Sequence, residues 1–135
     1  MSEKKSIIDF LESEEEFGNE HDEIITDLVS PYLIRITKTG NREYTQNFHN
    51  LPSAKKILID SLVKKAIFHK KGIYETESIT PKEIFSNKTL GVSESVAKKV
   101  FNRELKKVFR KSEEGYEIPN NRVAWIKGEF FNDGN

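Results

Sequence analysis

Lys98, Lys99, Asn102, Arg103, Lys106, Lys107 and Arg110 recur along one side of a stretch, Val92 to Lys111, whose other side is apolar. Val92, Val96 and Val100, with Ala97, Phe101 and Leu105, repeat at four-residue steps that Val108 and Phe109 continue, which predicts one amphipathic helix with a cationic back. Ser93 stands where an N-cap belongs, its hydroxyl able to accept a hydrogen bond from a free first-turn N–H. A row of ammonium and guanidinium groups neutralises phosphates and releases counterions, while Asn102 or Arg103 could hydrogen-bond adenine or guanine edges. The chemistry on offer is polyanion binding. A basic helix can also dock an acidic protein.

Other chemistries find less support. His21, His49 and His69 are scattered, and His21-Asp22-Glu23 reads as a solvated acidic loop rather than a cation site. The absence of cysteine excludes disulfides, thiolate-bound zinc and cysteine catalysis. No nucleophile is paired with a base, and no scaffold for two catalytic carboxylates is visible. The expectation is a protein that is not an enzyme, with no cofactor and no metal. Trp125 could stack on an unpaired base, but its alternation with Val123 reads as the core side of a strand.

The 22 basic and 22 acidic residues cancel overall but are segregated. Residues 1–34 hold 2 basic and 10 acidic groups (−8), residues 35–112 hold 18 and 7 (+11), and residues 113–135 hold 2 and 5 (−3). A basic module beside an acidic arm suggests a polyanion-binding surface, with the arm lying across it or docking a separate basic partner. No apolar run follows the first lysines and none approaches membrane length, so an intracellular, cytoplasmic, soluble protein is expected, with no membrane partner.

The elements that must position the basic stretch follow from caps and alternation. Ser6 could cap a short acidic helix before the carboxylate run Glu12 to Glu16, which Gly18 and Asn19 break; Ile24 to Val29 offer another helical turn or two before Pro31. Tyr32 to Ile36 and Arg42 to Phe48 alternate around Thr39-Gly40-Asn41, predicting a β-hairpin whose edge is a candidate dimerisation surface. Ser53 opens a helix to about Lys71 with Ile57, Leu58, Leu62, Val63, Ala66 and Ile67 buried and Lys55, Lys56, Lys64, Lys65, Lys70 and Lys71 largely opposite. Thr80-Pro81-Lys82-Glu83 combines a capping box with proline at the first helical position, opening a short helix to about Asn87 before Leu90-Gly91 turns the chain. Beyond the basic helix, Tyr116 to Ile118 and Arg122 to Lys127 read as strands joined through Pro119-Asn120-Asn121.

The order helix, short strand, short helix, turn, basic helix, hairpin over Ser53 to Gly128 resembles the winged-helix variant of the helix-turn-helix. A narrower likeness lies in Val100 to Phe109 followed by Arg122 to Gly128, which is similar to the winged-helix module ending many viral and plasmid replication helicase-primases; no Gly-x-x-x-x-Gly-Lys loop accompanies it. The resemblance implies a groove face of Ser95, Lys98, Lys99, Asn102, Arg103 and Lys106, with Arg110 beside it, and a wing tip of Asn120, Asn121 and Arg122. The expected fold class is α+β: a winged helix-turn-helix of three helices and a β-wing, preceded by a β-hairpin and an acidic arm. The expected divisions are an acidic arm at 1–23, a short helix and hairpin at 24–51, a winged-helix domain at 52–128 and a tail at 129–135. The expected function is DNA binding, duplex first and single-stranded DNA second, in transcription or replication; the alternative is a protein-interaction adaptor in a replication or defence complex. A protein partner for the arm and a homodimer remain open.

Overall fold

Gly18 is extended, and its N–H donates to His21 Nδ1 at 2.9 Å, which starts helix α1 (Asn19–Val29) five residues earlier than Ile24. The computed structural model describes residues 17–71, 74 and 76–131. The Ser6-capped helix and the Glu12 to Glu16 run therefore lie outside the described residues, as do positions 132–135 of the tail. His21 is buried within α1 rather than held in a solvated loop.

Strands β1 (Leu33–Ile36) and β2 (Arg42–Tyr44) pair antiparallel around Gly40, whose φ of 95° is the left-handed conformation the turn requires. The second strand stops sooner than alternation suggested, because Thr45 caps a one-turn helix α2 (Gln46–His49), its hydroxyl accepting from Phe48 N. That turn delivers Phe48 into the core, stacked on Tyr44 at 3.8 Å between centroids. In β1 the register shifts between Leu33 and Arg35, and Ile34 and Ile36 face solvent.

Helix α3 (Ser53–Lys71) is the central support. Ile57, Leu58, Leu62, Val63 and Ile67 are buried as their spacing predicts, but Ile59, Asp60, Ser61, Lys64 and Lys65 are buried too, so its middle is enclosed on all sides. Lys64 and Lys65 are thus not on a solvated face. Lys64 Nζ donates to Ser78 O and to both Glu83 carboxylate oxygens, while Lys65 Nζ donates to Ile118 O and Glu77. These bonds satisfy charges that would be costly to bury alone.

Helix α4 (Pro81–Phe85) has the capping box its sequence announces, with Glu83 N donating to Thr80 Oγ1 and Thr80 N to Glu83 Oε1. A 3-10 turn (Lys88–Leu90) and Gly91, at φ 69°, lead to Ser93, which caps helix α5 (Glu94–Asn102). This helix ends at Asn102, not Lys111. Val100 O accepts from both Arg103 N (3.3 Å) and Leu105 N (3.0 Å), so the ladder gives way to successive turns that still bury Leu105, Val108 and Phe109.

Two short strands, β3 (Arg110–Lys111) and β4 (Tyr116–Glu117), form a hairpin, and Ile79 joins it through reciprocal bonds with Tyr116. The stretch read as a returning strand is instead a 3-10 turn (Asn120–Arg122) and helix α6 (Val123–Phe130). Val123 and Ile126, three apart, share the buried side, which leaves Trp125 40% exposed rather than in the core. The described fold is α+β: six α-helices and two small antiparallel hairpins. Helix α1 packs on α3 and α6, and α5 lies against α3 and α4, so the residues before and after position 52 share one core.

Candidate nucleic-acid interface

Helix α5 is seated by Ala97 and Phe101, whose ring meets Phe85 and Tyr116 edge-on at 5.3 and 4.7 Å. Its opposite side presents Ser95, Lys98, Lys99 and Asn102 to solvent, and the turns that follow present Arg103, Lys106 and Lys107. These side chains form one ridge. The ridge changes from helix to turn at Arg103, so the last three are spaced by turn geometry, not by a helical repeat.

The charges on it differ in availability. Lys98 pairs with Glu94 at 3.0 Å one helical turn earlier and lies over the Phe85 ring. Lys99, Arg103, Lys106 and Lys107 make no ion pair or side-chain hydrogen bond among the described residues. Arg110 is committed to Glu117 through Nε and Nη2, and Arg122 Nη1 donates to the carbonyls of Lys107 (3.0 Å) and Val108 (3.3 Å). Arg122 therefore braces the turn that carries the lysines, while Arg110 ties the two strands of the hairpin together.

Asn120, Asn121 and Arg122 are not at a wing tip. The hairpin's turn is closed by Ser112 N donating to Gly115 O, and its exposed side chains are Glu113 and Glu114. Asn121 and Arg122 instead line an open groove of about 710 Å³ with Lys106, Lys107, Arg110 and Trp125. Sequence reasoning gave Trp125 to the core; the three-residue step from Val123 to Ile126 was the signal that could have freed it.

A buried polar cluster also escaped notice. Arg42 holds Asp60 through Nε (3.1 Å) and Nη2 (2.8 Å), Tyr44 OH donates to the same carboxylate, and Arg42 Nη1 reaches Tyr74 OH at 2.6 Å. Burial works against the Arg42 charge, but the adjoining Asp60 and tyrosines outweigh it and raise its pKa further. Burial and Asp60 raise Tyr44 far above the ordinary phenol range. Asp60 interrupting the apolar run Ile57 to Val63 was the sequence signal. With every member partnered, the cluster pins the hairpin to α3. No cluster of metal-ligating side chains occurs among the described residues.

Comparison with family models, with curated proteins and with solved structures finds no match to this chain.

Proposed function

We propose that this chain is a non-enzymatic intracellular DNA-binding protein of winged-helix type, a transcriptional regulator or a replication accessory factor, with duplex DNA as its first ligand. The observation that carries the reading is the row Lys99, Arg103, Lys106 and Lys107, exposed and without ionic partners among the described residues. A lone surface lysine is solvated; several cations without ion pairs, outnumbering the Glu104 and Glu129 beside them, create a field that draws a polyanion. The order α3, extended Ile79, α4, tight turn, α5 and hairpin supports the winged-helix comparison, with Ile79 beside Tyr116 as the extra strand segment. The short α5 and the acidic turn at Glu113 and Glu114 support a contact through α5 and the turns after it rather than through the hairpin's turn.

One observation favours an adaptor role. Ile34 and Ile36 are exposed beside an apolar groove lined by Ile25, Val29, Leu33 and Ile67, a face suited to a protein partner or a second copy. Salt separates the two readings. In fluorescence-anisotropy titrations with duplex and single-stranded oligonucleotides, a DNA binder shows log affinity falling linearly with log salt. Alanine at Lys98, Lys99 and Arg103 flattens that slope by about one unit per lost phosphate contact. Negligible affinity for both oligonucleotides at low salt would reject DNA binding and leave the adaptor.

A further inference from the structure

The groove beside the ridge holds the chain's single tryptophan. Trp125 meets Phe130 edge-on at 6.0 Å, a contact that steadies the indole while it stays 40% exposed. Lys106 and Lys107 line the same groove without counter-ions among the described residues, and the bonds from Arg122 to the Lys107 and Val108 carbonyls fix the turn that bears them. Asn121 belongs to the same lining, with its Oδ1 enclosed by protein and closed to solvent.

Together these features match two parts of one nucleotide. An aromatic face suits the plane of a base, and two ammonium groups without counter-ions suit the flanking phosphates. Bases inside a duplex are covered on both faces by their stacked neighbours, so the interior of an intact duplex cannot fill the groove.

We infer that this groove takes an unpaired nucleobase from a DNA strand leaving the duplex, stacked on Trp125, with adjoining phosphates on Lys106 and Lys107. The inference rests on the DNA-binding reading and narrows its ligand to a duplex with a single-stranded flank.

The test uses the full chain and three DNAs of equal duplex sequence: blunt, with a short single-stranded overhang, and with the same overhang made abasic so that its phosphates remain. Trp125 emission reports the stacking directly. The base-bearing overhang is expected to quench emission and to bind about 5- to 150-fold more tightly than the abasic one, the range that one base stacked on an aromatic ring supplies. Trp125→Ala should abolish that difference while blunt-duplex affinity persists. Equal affinity and emission for base-bearing and abasic overhangs in the unmodified chain would overturn the inference; salt-dependent binding of the blunt duplex would then leave the DNA-binding reading standing. Failure to bind any of the three DNAs would overturn both.

Discussion

The ammonium of Lys65 lies 2.7 Å from the carbonyl oxygen of Ile118, 53 residues further along the chain. Lys65 is 2% exposed, and its charge is met by Glu77 on the segment leading to α4. One side chain therefore ties the central helix to the segments on both sides of the ridge. Burial pushes its pKa down against the opposing pull of Glu77. Lys65→Met keeps the apolar stem but leaves the Ile118 carbonyl without its donor, so unfolding in urea should show a loss of about 1–3 kcal/mol. Lys70→Met, at an exposed pair with Asp22, should change stability by well under 1 kcal/mol.

Alkaline pH should unfold the protein through its tyrosines. Burial, reinforced by Asp60, holds Tyr44 protonated far above its ordinary range, and burial raises Tyr74 as well. Above about pH 10 the unfolded chain releases these protons while the folded chain keeps them, so the unfolded state binds fewer and stability falls as pH rises. Lys65 acts with opposite sign: its depressed folded pKa makes stability rise toward the ordinary lysine range. Comparing Tyr44→Phe with the unmodified chain cancels that contribution. Urea midpoints between pH 8 and about 11 should decline less steeply in Tyr44→Phe; parallel declines would mean that Tyr44 titrates normally.

Glu83 governs the acid side. Its burial favours the neutral form, but the Thr80 N–H, the Lys64 ammonium and the Thr80 hydroxyl together outweigh this and hold its pKa below the usual carboxylate range. A depressed carboxylate contributes stability that is present above its unfolded pKa and lost as pH falls through its folded value. Glu83→Gln should therefore be less stable at neutral pH, and its thermal midpoint should fall less than that of the unmodified chain as pH drops below about 4.5. Parallel curves would show that the capping box carries no such linkage.

For two helix starts whose caps lie three residues from their partners, the sequence was sufficient. Thr80 with Glu83, and Ser93 with Val96, are caps whose partners lie inside the same turn, so their identity predicts their bonds. The end of α5 was hidden because Ala97, Phe101, Leu105 and Val108 keep a helical spacing into turns that are no longer helix; periodicity reports burial and not the hydrogen-bond ladder. The burial of Lys64 and Lys65 was equally hidden, since their partners at Ser78, Glu83, Glu77 and Ile118 come from distant segments. The same holds in the candidate interface. Lys99, Arg103 and Lys106 are exposed as their spacing implied, whereas the Glu117 partner of Arg110 becomes visible only when the hairpin closes.

Gly115 shows how closely that hairpin is fitted. A Cβ there would fall 2.2 Å from Ile79 O, against backbone that is already bonded to Tyr116 and cannot step aside. Gly115→Ala should separate Ile79 from the hairpin and cost about 1–3 kcal/mol, the range for a broken buried pair. Gly91→Ala meets nothing within 4 Å and should cost only the strain of its positive φ, about 1 kcal/mol. Amide exchange at Ile79 and Tyr116 should accelerate in the first variant and not in the second.

The pairing of Lys98 with Glu94 gives the ridge a variant expected to bind better than the native chain. Both side chains are more than half exposed, so the ion pair adds only about 0.2–0.5 kcal/mol to the helix. Glu94 in the first turn also favours the helix dipole, and Glu94→Gln should therefore lower stability by less than about 1 kcal/mol. Under the proposed DNA binding the balance reverses: removing the carboxylate would release Lys98 toward phosphate and remove a repelling charge. Glu94→Gln should raise duplex affinity severalfold at low salt and steepen the salt dependence, whereas Lys99→Ala should weaken binding and flatten it. If neither substitution changes affinity while both proteins remain folded, the DNA lies elsewhere and the ridge is only a solvated face.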